Sequence, residues 1–153
     1  MPDRKLTAEQ QFSAVEELLT AWLKERREVL ARYTEIVVAT DISNKESDLA
    51  PRQIRFCEVL VDYVSAGHFE VFKGLLDEAE AYGDDSTALA RDLIPRIGDT
   101  TEVILAYDEK YSQPGQWRET LERDLSALGE VLETRFVLED RLIAGLHNAH
   151  RAA

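Results

Sequence analysis

The scarcity of helix-breaking residues is the feature that most constrains the fold of this chain. Its 153 residues include only seven glycines and four prolines. Between these breaks, apolar residues recur at steps of three and four, which places them along one face of an α-helix. No stretch shows the alternating apolar pattern and hairpin turns of a β-sheet. The sequence therefore predicts an all-α fold.

Three breaks divide the chain into four amphipathic blocks. They lie at about residues 41–45, 83–86 and 112–115. Each break combines Gly, Pro, Asn, Asp or Ser with a gap in the apolar pattern. Four helices with short connections pack as one antiparallel bundle-like domain, and the length of the chain suits a single domain. We expect this domain to span residues 1–153, with residues 1–6 frayed.

Two prolines lie inside the predicted helices. The second block begins near Asp48 and has Pro51 in its first turn, where proline is tolerated because the missing N–H has no helical partner there. Pro95 lies well inside the third block, where it removes a backbone hydrogen bond and clashes with the preceding turn. We therefore expect the third helix to be kinked or split at Pro95.

The charge of the chain excludes several classes of function. It has 18 Lys and Arg against 30 Asp and Glu, a net charge of −12. Nucleic acids are bound largely through Lys and Arg on phosphates, and anionic membranes attract the same residues. We therefore expect neither nucleic acid nor membrane as a direct partner. A basic protein, by contrast, would be attracted.

Cysteine content and hydropathy indicate the cellular compartment of the protein. Cys57 is the only cysteine, so no internal disulfide can form, and a buried structural role is the simplest interpretation. No apolar run approaches the ~18 residues of a membrane span, and no signal-peptide core follows Met1. These features predict a soluble protein that is most simply cytoplasmic.

The sequence offers little support for a metal site or an enzyme. Di-metal bundles carry Glu-x-x-His steps, but Ser65 and Ala144 stand three residues before His68 and His147. His147 and His150 are one turn apart at a polar C-terminal end, which indicates helix-end histidines favoured by the helix dipole. We therefore expect no metal, no cofactor and no catalytic residue.

Histidine phosphotransfer is the enzyme-like alternative. Phosphotransfer helices carry Lys and Gly three and four residues after the reactive histidine, whereas Lys73 and Gly74 follow His68 by five and six. This spacing turns the lysine away from the imidazole. A general regulatory adaptor with another main partner is a second alternative.

The second block contains a segment that departs from the simple pattern. Asp62 and Phe69 are two turns apart on a face away from the core stripe, with the small Ser65 and Ala66 between them. From spacing alone, Phe69 is either an apolar binding anchor beside a selective carboxylate or a residue packed against a neighbouring helix. Gly67 is costly inside a helix and indicates close approach by another group. We predict a core stripe through Ile54, Cys57, Val61, Val64, His68, Val71 and Leu75.

Several strings in three separate helices match one protein family. Ser-Ala-Gly-His-Phe at 65–69 and Arg-Phe-Val-Leu-Glu-Asp at 135–140 are specific, and similarity spans most of the chain. Together they resemble the Rsd/AlgQ family, bacterial anti-sigma factors directed at the primary sigma factor. Further matches are Trp22-Leu23, Arg26, 60–63 and Gly129-Glu130.

The resemblance implies a non-enzymatic helical protein that binds region 4 of the primary, sigma-70 type factor. Such binding would block sigma contacts with core RNA polymerase and the −35 promoter element as growth slows. The resemblance places sigma contacts at Asp62 and Phe69, while Trp22, Arg26 and His68 match family motif positions that contact sigma or shape the core. It favours a monomer in the complex. The predicted partner-binding set is Asp62, Phe69, Ser65, Ala66, His68, Trp22 and Arg26.

Overall fold

The protein is all-helical in the parts of the chain that the structure describes. The computed structural model describes residues 6–42, 46–113, 115 and 118–151, and none of these forms a strand. The α-helices are α1 (Ala8–Ile42), α2 (Glu46–Ala66), α3 (Phe72–Tyr82), α4 (Ser86–Tyr111) and α5 (Arg118–Leu146). A π-helical turn, Gly67–Val71, joins α2 to α3, and a 3₁₀ turn, Asn148–His150, follows α5. The predicted all-α, bundle-like fold is confirmed.

Local signals set two of the helix ends. Thr7 and Gln10 form a reciprocal capping box, in which the Thr7 N–H donates to Gln10 Oε1 at 3.0 Å and the Gln10 N–H donates to Thr7 Oγ1 at 3.1 Å. These bonds satisfy amides that lack helical partners at the start of α1. Gly83 ends α3 in the left-handed conformation, with φ of +64° and its N–H directed at the carbonyls of Ala79 and Glu80. Fraying was expected for residues 1–6. Residues 1–5 lie outside the described residues, and Leu6 is exposed and precedes the start of α1.

The core is built from the apolar stripes of all the helices. Helix α1 packs against α2 and α3, and α4 packs against α5. Full burial of each large aliphatic or aromatic side chain contributes about 1.5–3 kcal/mol, so these stripes supply most of the driving force for folding. The largest apolar side chains in the core are those of Trp22, Ile36, Leu49, Phe56, Leu60, Tyr63, Leu75, Leu93, Ile97, Ile104 and Tyr111.

The prediction that the third helix splits at Pro95 was wrong. Helix α4 is continuous from Ser86 to Tyr111, and the alternative of a kink is not confirmed. Pro95 is exposed, and so is Arg91, whose carbonyl loses its helical donor. The lost hydrogen bond therefore falls on the solvent side of the helix, where water can replace it, and the core stripe continues past it.

The second block differs from the single helix predicted for it. It begins at Glu46, so Pro51 lies in the second turn of α2 rather than in the first. It then passes through the π-helical turn, where the Phe72 N–H donates to the Gly67 carbonyl, five residues back. The flanking Ala66 and Phe72 keep right-handed helical backbone, so α2, the turn and α3 follow without a break.

The π-helical turn changes which residues reach the core. It places one more residue in the turn than an α-helix does, so the apolar stripe changes register. His68, predicted on the core stripe, is exposed, whereas Gly67 and Val71 are buried. Ile54, also predicted on that stripe, has 37% of its surface exposed. The prediction of a core histidine was therefore wrong.

The two C-terminal histidines are buried, contrary to the predicted polar helix end. His147 and His150 both bond the buried carboxylate of Glu78, and the His147 Nδ1 to Glu78 Oε1 distance is 2.6 Å. The other ring nitrogen of His147 lies 3.1 Å from Glu16 Oε2, and that of His150 contacts Asp84. The cluster ties the C-terminal turn to α1, α3 and the α3–α4 connection.

Aromatic rings and one cation complete this cluster. The imidazole of His147 stacks on Phe12 with ring centroids 4.2 Å apart, and that of His150 stacks on Tyr82 at 3.8 Å. Arg151 bonds Glu16 at 2.8 Å. Three carboxylates therefore face two imidazoles and one guanidinium.

Candidate partner-binding surface

A buried tryptophan lies directly beneath the π-helical turn. Trp22 is 2% exposed, stacks on Tyr63 with ring centroids 4.8 Å apart, and donates its indole N–H to the Tyr63 carbonyl at 3.0 Å. A Cβ atom on Gly67 would lie only 2.8 Å from Cζ2 of Trp22. The close approach predicted at Gly67 is confirmed, and its cause is the indole. Trp22 supports the turn from below and lies away from the surface.

Arg26 belongs to a buried ion-pair network next to this tryptophan. Its guanidinium bonds Glu139 at 3.0 Å and Asp140 at 2.7 Å, and its Nε donates to the Tyr63 hydroxyl at 3.2 Å. The same hydroxyl donates to Glu139. Arg135 adds a second guanidinium, 2.7 Å from Glu139. The guanidinium of Arg26 is therefore engaged by residues of the same chain, and its side chain is mostly buried.

The charges of this network balance inside the protein. Burial raises the pKa of the Glu139 carboxyl, while Arg135 and Arg26 act in the opposite direction by stabilising its ionised form. Arg135 is buried as well and donates to the hydroxyls of Thr100 at 3.1 Å and Thr101 at 2.7 Å. The network joins α1, α2, α4 and α5 beneath the π-helical turn.

The outer side of the turn carries a large exposed aromatic residue. Phe69 has 71% of its surface exposed, and the His68 ring lies edge-on to it with centroids 4.8 Å apart. Asp62, seven residues before Phe69, is also exposed. Ser65 and Ala66, which lie between Asp62 and Phe69 in the sequence, are partly exposed. We call these five residues the α2 surface. Five of the seven predicted binding residues therefore lie together on the outside.

Two acidic residues that the sequence did not single out border the α2 surface. Burial raises the pKa of the Glu25 carboxyl, and the negative charges of Asp62 and Glu70 raise it further. Glu25 Oε2 is buried and has no hydrogen-bond partner among the described residues. Glu25 lies on α1, so its proximity arises from helix packing and has no local signal in the sequence. Glu25, Asp62 and Glu70 together form an acidic rim beside Phe69.

The chemistry of the α2 surface favours protein recognition. An exposed aromatic ring supplies apolar contact area, and the carboxylates select a partner that carries Lys or Arg. Within the described parts of the chain, no group of three or more His, Cys, Asp or Glu side chains has the arrangement of a metal site. None of the helices, as far as they are described, is long and apolar enough to cross a membrane.

Comparisons with known proteins identify the family. Residues 1–147 match the family model described as "Regulator of RNA polymerase sigma(70) subunit, Rsd/AlgQ". A "Regulator of sigma D" from Yersinia pseudotuberculosis is 29% identical over 157 aligned positions, covering 100% of this chain and 93% of that protein. One from Pectobacterium carotovorum is 33% identical over 130 positions, covering 82% and 85%. No solved structure gives a significant match. The chain belongs to the Rsd/AlgQ family of regulators of the RNA polymerase sigma(70) subunit.

Proposed function

We propose that this protein is a non-enzymatic anti-sigma factor that binds region 4 of the primary sigma factor through the α2 surface. Occupation of region 4 would block its contacts with core RNA polymerase and with the −35 promoter element, and so lower housekeeping transcription as growth slows. The observation that carries the proposal is the exposed Phe69 beside Asp62 and the acidic rim. Membership of a family of sigma(70) regulators supports it.

Electrostatics supports this choice of partner. Region 4 is a helix-turn-helix DNA reader, so its DNA-binding surface is rich in Lys and Arg. A chain with a net charge of −12 attracts such a surface over several ångströms. A basic side chain of the bound partner would pair with the carboxylates of the acidic rim, those of Asp62, Glu25 and Glu70.

The residues of the α2 surface have different roles in this proposal. Phe69 inserts as the apolar anchor, Asp62 accepts from a basic group, and Ser65 and Ala66 leave room for the partner. The His68 ring, edge-on to Phe69, restricts its orientation. Trp22 and Arg26 act as positioning residues that hold the π-helical turn from below.

Truncation of the exposed anchor is expected to have the largest effect on binding. Phe69→Ala should weaken binding to isolated region 4 by at least about 2 kcal/mol, as loss of an aromatic hot spot does. Because Phe69 packs little against its own protein, the helical fold should persist by circular dichroism. Titration calorimetry measures the affinity, and Val103→Ala, another exposed apolar residue, on α4, is the matched control. Equal affinities of Phe69→Ala and wild type would contradict the assignment.

Glu25→Gln should separate binding from stability. The raised pKa of Glu25 means that its ionised form is disfavoured in the free protein, so a neutral isostere should raise the free energy of unfolding at neutral pH. The same change should weaken region 4 binding by roughly tenfold, about 1.4 kcal/mol, because a basic partner loses a charged acceptor. Urea unfolding and calorimetry test the two effects, and unchanged or tighter binding would contradict a cation at this rim.

The phosphotransfer and adaptor alternatives remain predictions with separate tests. His68 is exposed, so incubation with a labelled phosphodonor can reach it. Label that appears on the wild type and disappears in His68→Ala would favour phosphotransfer. A pull-down from a bacterial lysate in which the primary sigma factor is not the dominant bound protein would favour the adaptor.

A further inference from the structure

The exposed face of α2 continues beyond the α2 surface toward the start of the helix. Ile54, Glu58 and Asp62 follow one another at steps of four, which places them on one helix face. Ile54 is a large apolar residue with 37% of its surface exposed, and Glu58 is exposed. The helix face that carries Asp62 therefore has an exposed apolar residue toward the start of α2, in addition to Phe69 beyond its end.

A groove runs beside this face between α2 and α4. Its volume is about 500 Å³, and it is open along one side. Because Asp62 is one of its lining residues, the groove is continuous with the α2 surface. The residues that line it are Ile54, Cys57, Glu58, Val61, Asp62, Asp108 and Ser112.

The groove carries an excess of negative charge, and among its described carboxylates only Glu58 has a cation beside it, the exposed Arg55 at 3.5 Å. Among the described residues that line it, three are carboxylates, Glu58, Asp62 and Asp108, and none is Lys, Arg or His. Burial raises the pKa of Asp108 and the charge of Glu109 raises it further, although a hydrogen bond from the Cys57 thiol lowers it. The ionised form of Asp108 is therefore undercompensated in the free protein.

The length of the combined surface fits one helix of a partner. Ile54 and Phe69 are 15 residues apart, which corresponds to about 22 Å along a helix. A partner helix of about four turns would span the two apolar residues with its basic side chains toward the carboxylates between them. A second copy of this chain would bring a net charge of −12 of its own, so it is a poor occupant.

We propose that the groove between α2 and α4 holds a basic amphipathic helix of region 4 of the same sigma factor. An apolar side chain of this helix lies between Ile54 and Val61, and a Lys or Arg faces Asp108. The inference rests on the proposed function and extends its interface from the π-helical turn to the first half of α2. Ile54 and Asp108 become partner-binding residues in addition to Phe69 and Asp62.

Two substitutions at the far end of the groove test this inference by calorimetry with isolated region 4. Ile54→Ala and Asp108→Asn should each weaken binding at least about fivefold. Asp108→Asn should also reduce the dependence of the affinity on salt, because it removes a charge pair. Val103→Ala and Asp99→Asn, which change exposed residues on the opposite side of α4, are the matched controls and should bind like wild type.

The outcomes distinguish the two proposals. If Phe69→Ala loses affinity while Ile54→Ala and Asp108→Asn bind like wild type, the groove is not part of the interface and only this inference is overturned. If wild type does not bind region 4, both proposals are overturned. Sedimentation of free wild type as a dimer that Ile54→Ala dissociates would also overturn the inference, because the groove would then hold a second copy.

Discussion

Glu139→Ala is expected to lower the free energy of unfolding by about 3–5 kcal/mol, because it leaves buried guanidinium charge without its carboxylate. Glu139 is fully buried and accepts from Arg135 at 2.7 Å and from Arg26 at 3.0 Å. Arg26 keeps Asp140 as a partner at 2.7 Å, but Arg135 keeps only hydroxyl and carbonyl acceptors. The cost therefore comes mainly from Arg135.

A double variant separates charge burial from packing in this network. Arg135→Met combined with Glu139→Leu removes both charges and keeps much of the volume, so it should be less destabilised than Glu139→Ala alone. Urea unfolding of Arg135→Met, of Glu139→Leu and of the double variant gives the coupling energy. Asp92→Ala, which breaks the exposed Asp92–Arg96 pair at 3.5 Å, is the control and should cost less than about 1 kcal/mol. A Glu139→Ala variant as stable as this control would show that the carboxylate is dispensable.

The same network links the core to the proposed binding surface. Glu139 holds the Tyr63 hydroxyl, and the Tyr63 carbonyl holds the indole of Trp22 at 3.0 Å. The indole in turn lies against Gly67, at the start of the π-helical turn that presents Phe69. Arg135 and Glu139, from the second family-like string, thus act beneath the surface, although Val137 and Asp140 of that string are exposed. In the first string Gly67 is buried, and its other four residues belong to the α2 surface.

The helical blocks could be predicted because apolar periodicity and breakers are local. The left-handed Gly83 lies in the predicted break at 83–86, and the Thr7–Gln10 capping box begins directly after the residues that were expected to fray. Pro95 misled the prediction, because the cost of a proline depends on which side of the helix faces solvent. Leu93 and Ile97 face the core on either side of Pro95 and leave the proline on the solvent side of the helix.

The π-helical turn could not be predicted from spacing. A single π-helical turn has no characteristic amino-acid composition, and the apolar residues on either side of it keep the spacing of an α-helix. Val64 and Val71 are buried as predicted, but His68 between them is exposed. Gly67 was the available signal, since a glycine in a long helix indicates close approach, and the partner Trp22 lies 45 positions earlier in the chain.

Contacts between distant residues account for the other missed features. His147 bonds Glu78 across 69 residues and His150 contacts Asp84 across 66. No residue near His147 or His150 in the sequence indicates that these acidic residues are their partners. The two histidines therefore resemble ordinary helix-end residues until the chain is folded.

The protonation of this histidine cluster gives a second large stability effect. A neutral imidazole has one N–H, yet both ring nitrogens of His150 face carboxylates, those of Glu78 and Asp84. Burial lowers the pKa of His150, but the hydrogen bonds to Asp84 and Glu78 outweigh it, and the net pKa is raised. Hydrogen bonds from Ser86 and His150 lower the pKa of Asp84 to about 2.

These shifts set the direction of the pH dependence. The stability contributed by His150 is complete below the unfolded imidazole pKa of about 6.5 and is lost as the pH rises through the higher folded value. The contribution of Asp84 is complete above its unfolded pKa and is lost as the pH falls toward about 2. Within the cluster, the charges therefore favour a weakly acidic to neutral optimum.

Glu78→Gln should lower the free energy of unfolding by about 3–5 kcal/mol at weakly acidic pH, because the buried His147 and His150 lose their shared carboxylate. The variant should also lose less stability than wild type when the pH is raised from about 6 to about 9, since one source of the raised His150 pKa is gone. Urea unfolding at the two pH values measures both effects. Glu80→Gln, on the exposed side of the same helix, is the control. A wild-type stability that rises across this interval, or a Glu78→Gln slope as steep as that of wild type, would contradict a cluster held together by protonated histidine.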